Sequence, residues 1–238
     1  PAGSVTLTGG NVNGIATGTA TLTVNQVADG NYTAGSATVT VNVTTVVYND
    51  GDYRTLTSGN WPGATGAATW ERYDGSTTTW IQNSTPSSSA VGNLYILHTI
   101  TSNGSFAPAS GTKIIVENGG KFTDNHSSTL SLIHVKNGGT FEVGATGVTL
   151  VTTGGVKLIE SGGTLLINAA LTNTSTFWRG SENFQEGSIV DFRNYSGTLL
   201  DNPSQISTNT NNYLFGNLKF SGTTAISLIG TNSVIDFN

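Results

Sequence analysis

The feature that most constrains this chain is a diglycine corner that recurs. Val116-Glu117-Asn118-Gly119-Gly120, Val135-Lys136-Asn137-Gly138-Gly139 and Ile159-Glu160-Ser161-Gly162-Gly163 share one pattern, and Phe184-Gln185-Glu186-Gly187-Ser188 is a weaker fourth copy. Successive copies lie 19, 24 and 25 residues apart. Each is followed by a short alternating segment: Lys121-Phe122-Thr123, Thr140-Phe141-Glu142-Val143, Thr164-Leu165-Leu166-Ile167 and Ile189-Val190-Asp191-Phe192. A unit of about 20–25 residues built from short strands and turns is the signature of a stacked solenoid. Such an object is quasi-one-dimensional, so its function more often lies in length and surface than in a pocket.

Aligned on their diglycines, the copies generate columns. Val116, Val135, Ile159 and Phe184 form one, and Phe122, Phe141, Leu165 and Val190 a second. Asp124, Val143, Ile167 and Phe192 form a third, with Asp124 its odd member. Stacked coils produce such columns because each inward side chain packs on its equivalent one layer on, about 4.8 Å away. Glycine at the corner admits positive φ, and Asn118, Asn137 and Ser161 before it are placed to form a polar ladder along the axis. A β-sandwich shows frequent turn signals without in-register columns. The expectation is an all-β chain whose main body is a right-handed parallel β-helix of roughly eight coils, about 40 Å long.

The first residues read differently. Thr19-Ala20-Thr21-Leu22-Thr23-Val24 and Ala37-Thr38-Val39-Thr40-Val41-Asn42-Val43 alternate strictly between an apolar and a Thr face. Two half-buried strands of that kind suit an antiparallel sandwich, but the stretch is short for an immunoglobulin-like domain of about 100 residues. The expected organisation is therefore residues 1–46 as the end of an immunoglobulin-like repeat, 47–92 as a linker and Trp-rich N-terminal cap, and 93–238 as β-helix repeats. Pro1 opens in mid-pattern and Val234-Ile235-Asp236-Phe237-Asn238 reads as a strand, so the chain is expected to be an internal piece of something longer.

Composition narrows the function classes. Charged residues make up 10% of the chain and the nine Lys and Arg are scattered singly, which gives nucleic-acid binding little electrostatic support. No apolar stretch is long enough to span a bilayer, so no membrane insertion is expected. There is no Cys, hence no disulfide and no thiolate metal site. Thr, Gly, Asn and Ser dominate, yet the period-two recurrence of Val, Ile, Thr and aromatics favours ordered β-structure.

Chemistry-bearing residues are sparse. Trp61, Trp70 and Trp80 cluster just before the repeats. They suit a cap over the apolar end of a solenoid and, as large flat amphipathic rings, a platform for glycans. Asn49-Asp50-Gly51-Asp52 is an ordinary turn by composition, with calcium as the alternative occupant. No other cofactor or metal is expected. Polysaccharide lyases and hydrolases on this architecture need clustered carboxylates. Glu117, Glu142 and Glu160 lie near the turns but in no shared column, and Asp124-Asn125-His126 is the best local cluster. No catalytic residue is assigned and no enzyme is expected. Arrays of Thr-x-Thr, as ice or mineral binding would need, fall mainly outside the repeats.

Tyr53-Arg54-Thr55-Leu56-Thr57-Ser58-Gly59-Asn60-Trp61 with Ala68-Thr69-Trp70-Glu71 resembles the opening of β-helical modules in large Bacteroidota surface proteins. Gly216-Asn217-Leu218-Lys219-Phe220-Ser221-Gly222-Thr223 through Leu228-Ile229-Gly230 resembles a later stretch of the same modules. Leu22-Thr23-Val24-Asn25-Gln26 with Asp29-Gly30-Asn31-Tyr32 resembles the close of their immunoglobulin-like repeats. The resemblance implies a giant, flavobacterial-type adhesin of the outer cell surface, secreted by the type IX system and used in gliding motility or attachment. It implies surface glycans or abiotic surfaces, the type IX secretion and gliding machinery and neighbouring modules of the same polypeptide as partners. The C-terminal sorting domain of such proteins is not present in this sequence. The alternative is a carbohydrate-binding or polysaccharide-degrading parallel β-helix protein.

Overall fold

The computed structural model describes residues 5–8, 11–14, 17–43, 46–62, 68–89, 92–107, 109, 111–126, 132–144, 156–168, 181–193, 197–198, 217–222 and 226–227. Every regular element among them is a β-strand. The strand expected at 234–238 lies outside the described residues. The chain divides into two compact units, Pro1–Tyr48 and Asn49–Asn238.

In the first unit β1 (Val5–Thr8) pairs antiparallel with β2 (Asn11–Gly14), and β3 (Gly18–Gln26) with β4 (Gly35–Val43). Alternation gives the β3–β4 ribbon one apolar face, on which Ala20 and Leu22 are buried with Val41 and Val43 against them. On the Thr face, Thr19 Oγ1 donates to Asn42 Oδ1 at 2.8 Å. The Asp29 carboxylate accepts the N–H groups of Asn31 and Tyr32, closing the turn between the strands.

The second unit opens with β5 (Tyr53–Thr55), β6 (Gly59–Trp61), β7 (Trp70–Asp74) and β8 (Thr79–Gln82). It continues through β9 (Leu94–Ile96), β10 (Thr99–Ser102), β11 (Lys113–Val116), β12 (Lys121–Asp124), β13 (Leu132–Val135), β14 (Thr140–Val143), β15 (Val156–Ile159) and β16 (Thr164–Ile167). Then come β17 (Ser181–Phe184), β18 (Ile189–Phe192), β19 (Gly197–Thr198), β20 (Asn217–Phe220) and β21 (Ile226–Ser227). Among the described residues two long sheets dominate. One runs β6-β10-β12-β14-β16-β18-β20, entirely parallel; the other runs β8-β7-β5-β9-β11-β13-β15-β17, parallel from β5 onward. From β9 to β18 consecutive strands belong to alternate sheets, and each from β9 to β16 pairs with the strand two places on. The hairpin of β7 and β8 adds antiparallel to β5 and ends the second sheet.

The corners explain the alternation. In each, an N–H closes on a carbonyl three residues back: Gly120 on Glu117, Gly139 on Lys136, Gly163 on Glu160 and Ser188 on Gln185, at 2.8–2.9 Å. The residue before that donor is a glycine at φ 76–83° in all four, which makes each corner a type II turn. The second glycine answers a different demand. A Cβ on Gly120 would lie 2.0 Å from the Ile96 carbonyl oxygen.

The columns read from the sequence pair in register. Val116, Val135, Ile159 and Phe184 stack across one sheet, and Phe122, Phe141, Leu165 and Val190 across the other. With Ile96, Ile100, Ile114 and Ile133 they form one continuous apolar core. Burial of such side chains contributes about 1.5–3 kcal/mol each.

Candidate functional site

The Trp-rich segment yields two core residues and one surface residue. Strand β6 ends in Trp61 and β7 begins with Trp70; both are 0% exposed. Their rings lie 5.7 Å apart, and Trp61 continues the contact to Phe106 at 4.9 Å, Phe106 to Phe122 at 5.6 Å and Phe122 to Phe141 at 5.5 Å. Trp61 Nε1 donates to the Pro86 carbonyl at 2.8 Å. The expectation that Trp61 and Trp70 offer their faces to glycans is therefore corrected: those faces are occupied by protein, because the alternation of β6 and β7 turns both rings into the core.

Trp80 on β8 is half-buried. The Arg54 guanidinium lies over its ring at 4.3 Å and the Tyr73 ring meets it edge-on at 5.2 Å. Arg54 Nε is held by Glu71 Oε2 at 2.5 Å. Cross-strand register sets these residues on one face, since Arg54 pairs with Glu71 and Tyr73 with Trp80. Of the three tryptophans, Trp80 alone stands at the surface.

The Asn49–Asp52 segment is a turn. The Asp52 N–H donates to the Asn49 carbonyl at 3.0 Å and Gly51 has φ 86°. The buried Asp52 carboxylate accepts the N–H groups of Asn49 and Asn93, both at 2.8 Å, which ties the corner to the start of β9. Asp50 faces Arg72 and the Gly75 N–H. The oxygens a calcium ion would need are thus engaged by protein donors. Among the described residues no three His, Cys, Asp or Glu side chains come together to hold a metal.

The outward face of the parallel sheets carries charge in columns. Glu117 and Glu160 occupy equivalent corner positions with Lys136 between them, contrary to the expectation that the glutamates share none. Lys136 Nζ donates to Glu117 Oε1 at 2.7 Å, and Glu160 Oε1 meets His134 Nε2 at 2.7 Å. On the other sheet Glu142, Leu166 and Asp191 are successive members of one column, all buried. Glu142 contacts Lys121 Nζ at 2.5 Å, Asn168 Nδ2 at 2.6 Å and Thr123 Oγ1 at 3.1 Å. Burial opposes its charge, but hydrogen bonds from Lys121 and Asn168, the Lys121 charge and the Thr123 hydroxyl outweigh it and hold the carboxyl below the usual glutamate range. Asp191 meets Lys219 at 3.2 Å, Arg193 at 3.6 Å and Ser221 Oγ at 2.5 Å.

Asp124 is wholly buried. Its Oδ1 accepts from Ser102 Oγ and from the His126 N–H, each at 3.0 Å. His126 Nδ1 accepts the Gly104 N–H at 3.2 Å and lies 3.3 Å from Ser102 Oγ. That hydroxyl also takes the Asn125 N–H at 2.7 Å. Serine, histidine and aspartate do meet here, but Ser102 is 3% exposed, and a nucleophile must be reached by its carbonyl. The cluster stitches neighbouring layers together. His98 is likewise engaged, with Thr55 Oγ1 at 3.1 Å from its Nδ1.

The chain matches no protein-family model, no curated protein and no solved structure. No helix among the described residues is long and apolar enough to cross a membrane.

Proposed function

We propose that the second unit is a right-handed parallel β-helix serving as a rigid structural and adhesive module of a large cell-surface adhesin. The observation that carries the reading is the unbroken, layer-by-layer parallel pairing of two sheets over a single apolar core. Connections between parallel strands of one sheet are right-handed in nearly all cases, which supports the hand. Stacked layers bury every interior strand edge and resist bending, which suits a stalk. The first unit fits the close of an immunoglobulin-like repeat. The resemblance to Bacteroidota modules supports secretion by the type IX system to the outer cell surface, and a role in gliding or attachment. Glycans or abiotic surfaces are the proposed targets. Beads coated with the whole chain should be retained under flow on polysaccharide-coated or bare surfaces; retention no better than with an inert β-protein coat would rule out the adhesive part.

A second reading, carbohydrate binding, is favoured by the half-buried Trp80 beside Tyr73. Glycan binding lost in Trp80→Ala with the fold intact would support it. We regard the chain as non-enzymatic. A glycosidase pairs a carboxyl that keeps its proton near neutral pH with an ionised one, and Glu142, held below the usual glutamate range, does not suit the first role. Release of reducing ends or unsaturated uronates from a polysaccharide, abolished by Asp124→Ala, would overturn that view.

A further inference from the structure

The ribbon of the first unit lacks the protections that exposed sheet edges ordinarily carry. A strand edge is a row of N–H and C=O groups able to pair with another chain, and proteins blunt it with short strands, charge or proline. The second unit does so: its end strands β6, β8, β17 and β20 are three or four residues long, and β20 carries Lys219. Strands β3 and β4 have nine residues each, and neither contains a charged residue or a proline. They pair with each other along their full length, and among the described residues neither has a second partner strand.

Burial across the rungs identifies the open edge. Ala20 and Leu22 on β3 are 3% and 9% exposed, whereas Val39, opposite Leu22, is 52% exposed. Val41, opposite Ala20, is only partly buried. At these rungs the apolar face is covered over β3 and bare along β4. We propose that the β4 edge pairs with the β4 edge of a second copy of this chain, antiparallel across a two-fold axis at Val39, joining two ribbons into one four-stranded sheet. In that register β4 is complementary to itself: Val39 meets Val39, Thr38 meets Thr40, Ala37 meets Val41 and Ser36 meets Asn42. The apolar face stays apolar, the Thr face stays polar, and no like charges come together. A two-fold contact closes on itself and stops at two copies. Nine residues at ~3.4 Å each make an edge about 30 Å long. One such pairing buries less than the ~1,600 Å² of a standard interface, so the dimer is reversible and depends on concentration.

Sedimentation equilibrium of the whole chain, from micromolar to millimolar concentration, is the test. The average mass should rise from that of one chain to that of two and go no further. Val39→Lys sets like charges opposite each other at the axis and should raise the dissociation constant at least about tenfold. Mixing Val39→Lys with Val39→Glu should restore dimers, which separates lost pairing from lost folding. Val24→Lys, on β3 at a position 67% exposed, should leave the dissociation constant unchanged. A chain that stays single at millimolar concentration, masses beyond two copies, dimers indifferent to Val39→Lys, or equal weakening by Val24→Lys would overturn the proposal.

Discussion

Gly138 sits directly over the Asn118 side chain: a Cβ at position 138 would come within 2.4 Å of Asn118 Oδ1. The relation repeats one layer on, where Gly162 faces Asn137, and again where Gly187 faces Ser161. The polar residue of each corner therefore packs beneath the positive-φ glycine of the next. Gly119, whose Cβ position is open, begins the series.

Alanine at three of these glycines should rank in severity. Gly119→Ala carries the cost of a left-handed backbone alone, about 1–2 kcal/mol. Gly138→Ala adds a collision with a side chain that can turn aside. Gly120→Ala meets the Ile96 carbonyl at 2.0 Å, which is backbone fixed by pairing, and should be the most damaging. Urea midpoints of the three variants decide the matter, and a Gly120→Ala as mild as Gly119→Ala would contradict the close-packed corner.

The tryptophans should separate by role. Trp61→Ala and Trp70→Ala remove wholly buried rings and should each cost about 3–5 kcal/mol. Trp80→Ala loses a part-exposed ring and its contact with Arg54, about 1 kcal/mol. Thermal denaturation of the three measures this. Equal losses at all three positions would mean that β8 is as integral to the core as β6 and the start of β7.

Much of the second unit is legible in the sequence, and the reasons are local. Corner glycines are needed for positive φ and for close approach, so they announce themselves at fixed offsets. The alternation after them assigns Phe122, Phe141, Leu165 and Val190 to one column. Trp61 and Trp70 were harder, because an aromatic in a three- or five-residue strand has no periodicity to say which way it points. Lys157 is buried in register with Ile114 and Ile133, and a lone lysine in a four-residue strand carries no sign in the sequence that it points inward. The Glu142–Asp191 column was masked by Leu166, an outward apolar residue between two carboxylates.

Acid should weaken the Glu142 network selectively. Its folded-state pKa lies below the ordinary value of 4.5, so its contribution is complete above that value and is lost as pH falls through the folded pKa. The stability difference between the wild-type chain and Glu142→Gln should be constant above about pH 5 and shrink below about pH 4. Urea midpoints from neutral to acid pH provide the measurement. A difference that persists unchanged into acid would show that the amide loses packing and not charge.

The Ser102–Asp124–His126 cluster gives the last prediction. Asp124 replaces an apolar residue of its column, and its Oδ1 serves a hydroxyl and a main-chain N–H at once. Asp124→Ala leaves both donors buried without that acceptor and should cost about 1–3 kcal/mol for each orphaned group. Asp124→Asn retains a carbonyl oxygen in the same place and should cost less. Ser102→Ala removes one donor to Asp124 but also strands the Asn125 N–H, which that hydroxyl accepts at 2.7 Å. The Ser102→Ala and Asp124→Ala losses should therefore be strongly non-additive, because both variants break the same bond. Denaturation of the two single variants and the double tests this. Simple additivity would mean that the 3.0 Å contact carries no coupling, and that Asp124 is held in the core by other bonds.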